Sequence, residues 1–305
     1  MVDMAPVVVS GAQPGPGLWK VSRDGHELWI LATVSPLPAK MRWRADEVES
    51  VIARAQQVLD PPGWSVGADV GLFKGLTLLP AAMKAARNPD GRRLQDVLPA
   101  DLYARWSALK QRYIGRDGGI EKDRPMVAAN ELYRKALAGN GLGRGPVVSS
   151  VVAKAAKAHG IKPVSTVVKV QIADPRQALK DIRGAEVDDV ECFRRTLDAV
   201  EHDLPTMVER ANAWAVGDIE ALRSLPMQGG RSSCVDAVER TDFARKYGMT
   251  DMDSRVTEAW LAAARQALQH NEVTFARLPL HLVLAPDGYL SRLQALGYTV
   301  EAPEG

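Results

Sequence analysis

The chain has 305 residues, of which 46% are hydrophobic and 25% are charged. This balance is typical of a soluble globular protein and excludes both a disordered chain and a membrane-embedded body. Lys and Arg number 39 against 37 Asp and Glu. The resulting net charge of +2 provides no global basic field, so we expect no nucleic-acid partner.

The first 17 residues are rich in Pro and Gly and carry no Lys or Arg. This composition predicts a flexible arm over residues 1–17, too short and too uncharged to be an intact signal peptide. If the protein is exported, its signal peptide is expected to be absent from the chain as given. The sequence contains no run of 18 apolar residues, so no membrane-spanning segment is expected.

A β-hairpin is predicted next. Residues 18–22 and 28–34 are β-prone runs, and the Asp24-Gly25 pair between them is a strong hairpin signal. Helical spacing of apolar residues follows over 44–58, with a short strand at 57–60 that Pro61-Pro62 would end.

Helices are predicted to dominate the middle of the chain, and strands return at its end. The pattern indicates helices over most of 76–159, a buried strand at 162–171, helices over 188–270, a strand at 272–276, a strand or its exit at 281–284, a helix at 286–296 and a last strand at 298–301. We therefore expect an α/β fold with a central mixed β-sheet that opens with the hairpin and includes strands around Val58 and Val164. A single domain over 18–305 would carry helical insertions at about 75–160 and 186–270.

Residues 63–67 read Gly-Trp-Ser-Val-Gly and match the GxSxG pattern of a nucleophile elbow. The elbow requires a strand that runs directly into the first Gly, and Pro61-Pro62 interrupts it. A Gly-rich loop in which Trp64 packs against the body is therefore the preferred interpretation. A serine hydrolase that uses Ser65 or Ser35 with His281 as its base remains an alternative.

The five histidines are scattered, and no HExxH, HxH or HxxE motif occurs among them. The sequence therefore contains no local metal-binding cassette. His281 differs from the others because it follows an apolar strand at the carboxyl side of the predicted sheet, where α/β proteins keep their sites. We consider it a candidate functional residue.

Two cysteines, Cys192 and Cys234, lie on different predicted helices and do not form a CxxC pair. They argue against a disulfide scaffold and against a zinc knuckle. Two interpretations stay open from the residues alone: a single disulfide bridge, or two reduced and buried thiols.

Several stretches, in order, resemble the TraB/GumN family, whose members are relatives of the Tiki metalloproteases. Residues 18–21 and 28–35 are similar to the opening hairpin of that family, which ends in a Gly-Thr-Ile-His type motif. The further similar stretches are the helix at 47–55, the helix-to-strand step at 158–164, the helical segment at 203–218, and the carboxyl-terminal pieces at 278–282, 287–290 and 296–300. The resemblance spans nearly the whole chain and implies the α/β fold of the family.

The family implies a divalent metal such as Mn or Co, held by two GxxH motifs and an acidic residue. At the matching positions this chain has Ala32 and Ser35 in the first motif and Leu278 and His281 in the second, and the acidic position falls at or beside Asp60 and Pro61. A hydrolytic metal needs about three protein ligands and an open position. Because the first His is replaced by Ser35, we expect a degenerate catalytic site at Ser35, Asp60 and His281, with no metal and no cofactor.

The resemblance thus implies an exported cell-envelope protein, periplasmic or secreted, that acts as a binding or accessory protein and is linked to exopolysaccharide production. Its expected partner is a peptide or a glycan, and Thr33, Trp64 and Ser65 are expected to contribute to binding. An envelope location favours a bridge between Cys192 and Cys234. An active metal-dependent hydrolase of the Tiki type remains the principal alternative.

Overall fold

The computed structural model describes residues 12–68, 72–184, 189–226 and 238–303. Its strands are β1 Ala12–Gln13, β2 Leu18–Arg23, β3 His26–Thr33, β4 Leu37–Pro38, β5 Arg42–Trp43, β6 Gln57–Leu59, β7 Gly63–Gly67, β8 Leu142–Gly143, β9 Val167–Gln171, β10 Val273–Pro279 and β11 Thr299–Glu301.

The α-helices of the same ranges are α1 Asp46–Arg54, α2 Leu72–Ala85, α3 Leu94–Val97, α4 Ala100–Tyr113, α5 Pro125–Gly139, α6 Val147–Ala158, α7 Pro175–Gly184, α8 Asp189–Asp198, α9 Leu204–Val216, α10 Ile219–Ser224, α11 Asp242–Lys246, α12 Met252–His270, α13 Leu280–Leu284 and α14 Tyr289–Ala295. A π-helical turn, Ala199–Asp203, joins α8 to α9.

The central sheet has five strands in the order β11-β2-β3-β10-β6. The β2–β3 and β11–β2 pairs are antiparallel, whereas β10 runs parallel to both β3 and β6. The predicted α/β class and its mixed sheet are therefore confirmed. The hairpin closes through Asp24 and Gly25, whose φ angles of 52° and 84° suit the turn that matches strand twist.

Side chains on both faces of β3 are buried, which shows that helices cover the sheet on two sides. Leu28 and Ile30 point to one face and Leu31 to the other, and all three are fully buried. Among the helices that pack on the central strands are α1, against β10, and α12, against β3. The central strands are therefore placed inside the main hydrophobic core, and their ends determine where a site can form.

The segment around Val164 joins the edge of the central sheet beside β6, but as an isolated parallel bridge and not as a regular strand, so this prediction is confirmed only in part. Val164 makes a single bridge to Leu59, and its side chain is exposed. The strand of this segment is β9, which pairs in parallel with β7 to form a separate two-stranded sheet. A second, small cluster of buried side chains from β9, α11 and α12 lies against this sheet.

One buried hydrogen bond ties the end of β3 to α9. The indole Nε1 of Trp214 donates to the backbone oxygen of Ala32 at 2.7 Å, and the Trp214 side chain is fully buried. The Trp43 ring packs edge-on against it, with the ring centroids 5.5 Å apart. This contact fixes the position at which the chain leaves the sheet.

We expect Trp214→Phe to lower the free energy of unfolding by about 2 to 4 kcal/mol, because it removes buried volume and leaves the Ala32 oxygen without this donor. Trp43→Phe is the matched control, since it keeps the Trp214 hydrogen bond and alters a less buried ring. Urea unfolding of both variants would measure the difference. Equal losses in the two variants would contradict the importance of the hydrogen bond.

Candidate functional site

Three parallel strands end at the same edge of the sheet, and each is followed by one of the predicted catalytic residues. In the register of β3 and β10, Thr33 lies opposite Pro279, so Ser35 and His281 both come two residues after the last paired positions. Asp60 directly follows β6, the other neighbour of β10. The fold thus brings the candidate residues to the carboxyl edge, as expected for an α/β protein.

The loop after β3 is held to its neighbours while Ser35 itself is exposed. Thr33 uses its hydroxyl to donate to the backbone oxygen of Leu278 at 3.2 Å. Pro36 and Leu37 are buried, and β4 pairs with β8. Thr33 is therefore engaged in joining β3 to β10, and its predicted role in ligand binding stays a prediction.

The carboxylate of Asp60 makes an ion pair with a residue of the adjacent strand. Arg277 Nη2 lies 2.8 Å from Asp60 Oδ1. The Arg277 side chain is 15% exposed and the Asp60 side chain is 32% exposed. The backbone of Asp60 is also fixed, since its oxygen accepts a hydrogen bond from the Thr166 hydroxyl at 3.0 Å. At the acidic position of the site, the negative charge is thus already compensated by a guanidinium.

His281 lies in α13, a short helix that directly follows β10, where the sequence predicted a strand or its exit over 281–284. Its imidazole is partly buried. Burial is the main cause that lowers the pKa of His281 below 6.5, and the nearby positive charge of Arg210 lowers it further. The ring is consequently uncharged at neutral pH.

Arg210 is a site residue that the sequence reasoning missed. It lies in α9 and is only 9% exposed, with Nη2 donating to the backbone oxygen of Pro226. Its Nε is buried and has no hydrogen-bond partner within the described ranges. Burial lowers the pKa of Arg210, while Asp203 and Tyr133 oppose that change. A buried guanidinium thus contributes positive charge close to His281.

A cavity of about 590 Å³ opens beside His281. Trp19 and Arg223 line it together with His281, and residues 283–286 provide an apolar wall. No Asp or Glu is among these lining residues. Its size lies in the range that is usual for small-molecule sites.

The described residues do not fit the divalent metal that the family resemblance implies. Within them, no three His, Cys, Asp or Glu side chains are grouped so as to hold one ion. Asp60 is paired with Arg277, Ser35 offers only a hydroxyl, and Arg210 places a cation near His281. A metal ion would have to displace the Arg277 guanidinium from Asp60 and lie near the positive charge of Arg210.

The GxSxG segment does not form a nucleophile elbow. Residues 63–67 are the whole of β7, so Ser65 lies within a strand rather than in a strand-to-helix turn. Ser65 is exposed, and Trp64 packs against the second hydrophobic cluster. The interpretation of Trp64 as a packing residue agrees with this arrangement, although the residues form a strand and not a loop.

The structure describes only one of the two cysteines of the predicted disulfide. Cys192 lies in α8 and is fully buried. Cys234 lies outside the described residues. The bridge between them stays a prediction.

The fold and the site define an α/β protein with a cationic, ligand-sized cavity at the carboxyl edge of its parallel strands. The model of the TraB/PrgY/gumN family matches residues 17–302, and the chain belongs to this family. Searches of curated proteins and of solved structures returned no match. In the described parts of the chain, no helix is both long enough and apolar enough to cross a membrane.

Asp60→Asn is expected to lower the free energy of unfolding by about 1 to 3 kcal/mol, because it leaves the largely buried Arg277 guanidinium without its counter-charge. Asp46→Asn is the matched control. It breaks an exposed pair with Arg44 and should cost less than about 0.5 kcal/mol. Urea unfolding measures both, and similar values would contradict a structural role for the Asp60 pair.

We expect the His281 imidazole to titrate below pH 6.5 in an NMR experiment, with its signal assigned by loss in His281→Asn. Because the folded pKa is below the unfolded value, the stability due to this group is full above pH 6.5 and falls as the pH drops through the folded pKa. Arg210→Gln should raise the pKa of His281, since it removes the nearby positive charge. A titration at or above pH 6.5 in the unchanged protein would contradict this assignment.

Proposed function

We propose that this TraB/PrgY/gumN family protein is catalytically degenerate and acts as a binding or accessory protein through the cavity beside His281. The observation that carries the proposal is the ion pair between Asp60 and Arg277. In a metallohydrolase the acidic residue must be available to a cation or to a water molecule. Here a guanidinium from the neighbouring strand contacts that carboxylate.

The charges around the pair support the same proposal. Arg210 is close enough to His281 to lower its pKa, and Arg223 lines the adjacent cavity. Like charges in a partly buried site repel a divalent cation strongly, because the effective dielectric constant there is below that of water. The same arrangement attracts an anion. A site of this kind suits ligand capture better than metal-assisted hydrolysis.

We extend the proposal to the location and partner of the protein. We propose that it acts in the periplasm or outside the cell, where it binds a peptide or a glycan. The resemblance to envelope proteins supports this location, and the gumN name of the family supports a link to exopolysaccharide production. A disulfide between Cys192 and Cys234 would be consistent with an oxidising compartment.

The proposal is tested by metal analysis of protein purified without chelator and then incubated with Mn²⁺, Co²⁺ or Zn²⁺. We expect far less than one ion per chain after gel filtration, because Asp60 is already paired and Ser35 replaces the expected imidazole ligand. His281→Ala should leave this residual amount unchanged. Stoichiometric metal that disappears in His281→Ala would overturn the proposal in favour of a metallohydrolase.

A fluorophosphonate probe provides the second arm of the same experiment. Ser35 and His281 follow adjacent strands in equivalent register, so a serine nucleophile with a histidine base must be tested directly. We expect no labelling of the unchanged protein. Labelling that is lost in Ser35→Ala and retained in Ser65→Ala would also overturn the proposal.

A further inference from the structure

The cavity beside His281 has two chemically different sides. Residues 283–286, Val-Leu-Ala-Pro, form an apolar wall. Arg223 and His281, two residues with polar side chains, also line it, together with the ring of Trp19. A ligand that fits both sides must combine an apolar part with a polar group, and the type of polar group follows from the donors and acceptors available.

Trp19 contributes the surface of its indole ring to the lining. Its side chain is 6% exposed, and the indole Nε1 is buried and has no hydrogen-bond partner in the described part of the chain. Because that nitrogen is itself buried, it does not face the open cavity and offers no donor to a ligand. The charge that selects a ligand must therefore come from another residue.

Arg223 supplies the charge. It lies in α10, is exposed and lines the cavity, and no Asp or Glu is among the lining residues within the described part of the chain. The positive charge of the buried Arg210 guanidinium also acts on His281, although the carboxylate of Asp203 opposes part of it. A concave site with one sign of charge raises the local concentration of ligands of the opposite sign.

We infer that this cavity binds an organic carboxylate that carries an apolar substituent. The planar guanidinium of Arg223 is suited to paired hydrogen bonds with a carboxylate, and the apolar substituent would cover residues 283–286. This inference rests on the proposed function, because it treats the cavity as a binding site, and it adds the chemical class of the ligand. Carboxylates of this class occur at the ends of peptides and in acidic glycans, and the apolar wall favours the former.

Calorimetric titration of the full chain with N-acetyl-leucine tests the inference, with N-acetyl-leucinamide as the uncharged match. We expect the carboxylate to bind at least tenfold more tightly than the amide, because charge-assisted hydrogen bonds between a guanidinium and a carboxylate are about twice as strong as hydrogen bonds between neutral groups. Glucuronate and inorganic phosphate carry the charge without the apolar group and should bind more weakly than N-acetyl-leucine.

Arg223→Gln should weaken binding of N-acetyl-leucine about tenfold and bring it close to that of the amide. Arg112→Gln is the matched control, since Arg112 is an exposed arginine of α4 that does not line the cavity. Thermal unfolding of Arg223→Gln and Arg112→Gln must be measured in parallel, to show that both variants are folded.

Three results would overturn the inference: no binding of N-acetyl-leucine at millimolar concentration, equal affinity for the amide, or affinity for glucuronate or phosphate equal to or above that for N-acetyl-leucine. These failures are separable from failure of the proposed function. The latter is decided by stoichiometric metal or by fluorophosphonate labelling, neither of which depends on carboxylate binding. If the protein holds no metal, is not labelled and does not bind N-acetyl-leucine, only the proposed ligand class is contradicted.

Discussion

The parallel pairing of β10 with β3 and β6 is the constraint on which the rest of the structure depends. It joins a strand near the carboxyl end of the chain to two strands near the amino end, and it inserts β10 between them. Because parallel strands end at one edge, this pairing brings Ser35, Asp60 and His281 to that edge although they lie far apart in sequence. The helices of the intervening chain cover the sheet and leave this edge as the place for a site.

Strand β10 also contributes to the charge at the carboxyl edge of the sheet. Arg277 belongs to β10 and reaches the carboxylate of Asp60, which follows β6. An arginine within a strand whose neighbours are buried requires a partner, since an uncompensated buried charge is strongly destabilising. The ion pair therefore has a structural reason that is independent of any catalytic use of Asp60. The position of an acidic residue after β6 does not by itself make that residue a ligand.

Patterns that are local in sequence predicted much of the fold. The hairpin around Asp24-Gly25 and the strand-and-exit character of the segment before His281 followed from turn chemistry and apolar runs. The strand predicted over 162–171 is divided in the structure, because an apolar run predicts a strand but not its partners: Val164 bridges to Leu59 of the central sheet, whereas β9 pairs with β7. Arg210 was missed although it lies one turn before Trp214, on the buried face of α9. The sequence shows the four-residue spacing, but it does not show whether a long arginine side chain stays buried or extends to solvent.

The position of Arg210 in α9 also links the charge of the site to the packing of α9 against the sheet. Residues four apart on a helix share a face, so Arg210 and Trp214 project from α9 in the same direction. Trp214 fixes that face to the backbone oxygen of Ala32, which lies next to the last residue of β3. The hydrogen bond that anchors α9 to the sheet thereby sets the position of the Arg210 guanidinium relative to His281, which follows the adjacent strand. The fold and the charge of the site consequently depend on a common contact, and a change that weakens the Trp214 anchor should disturb both.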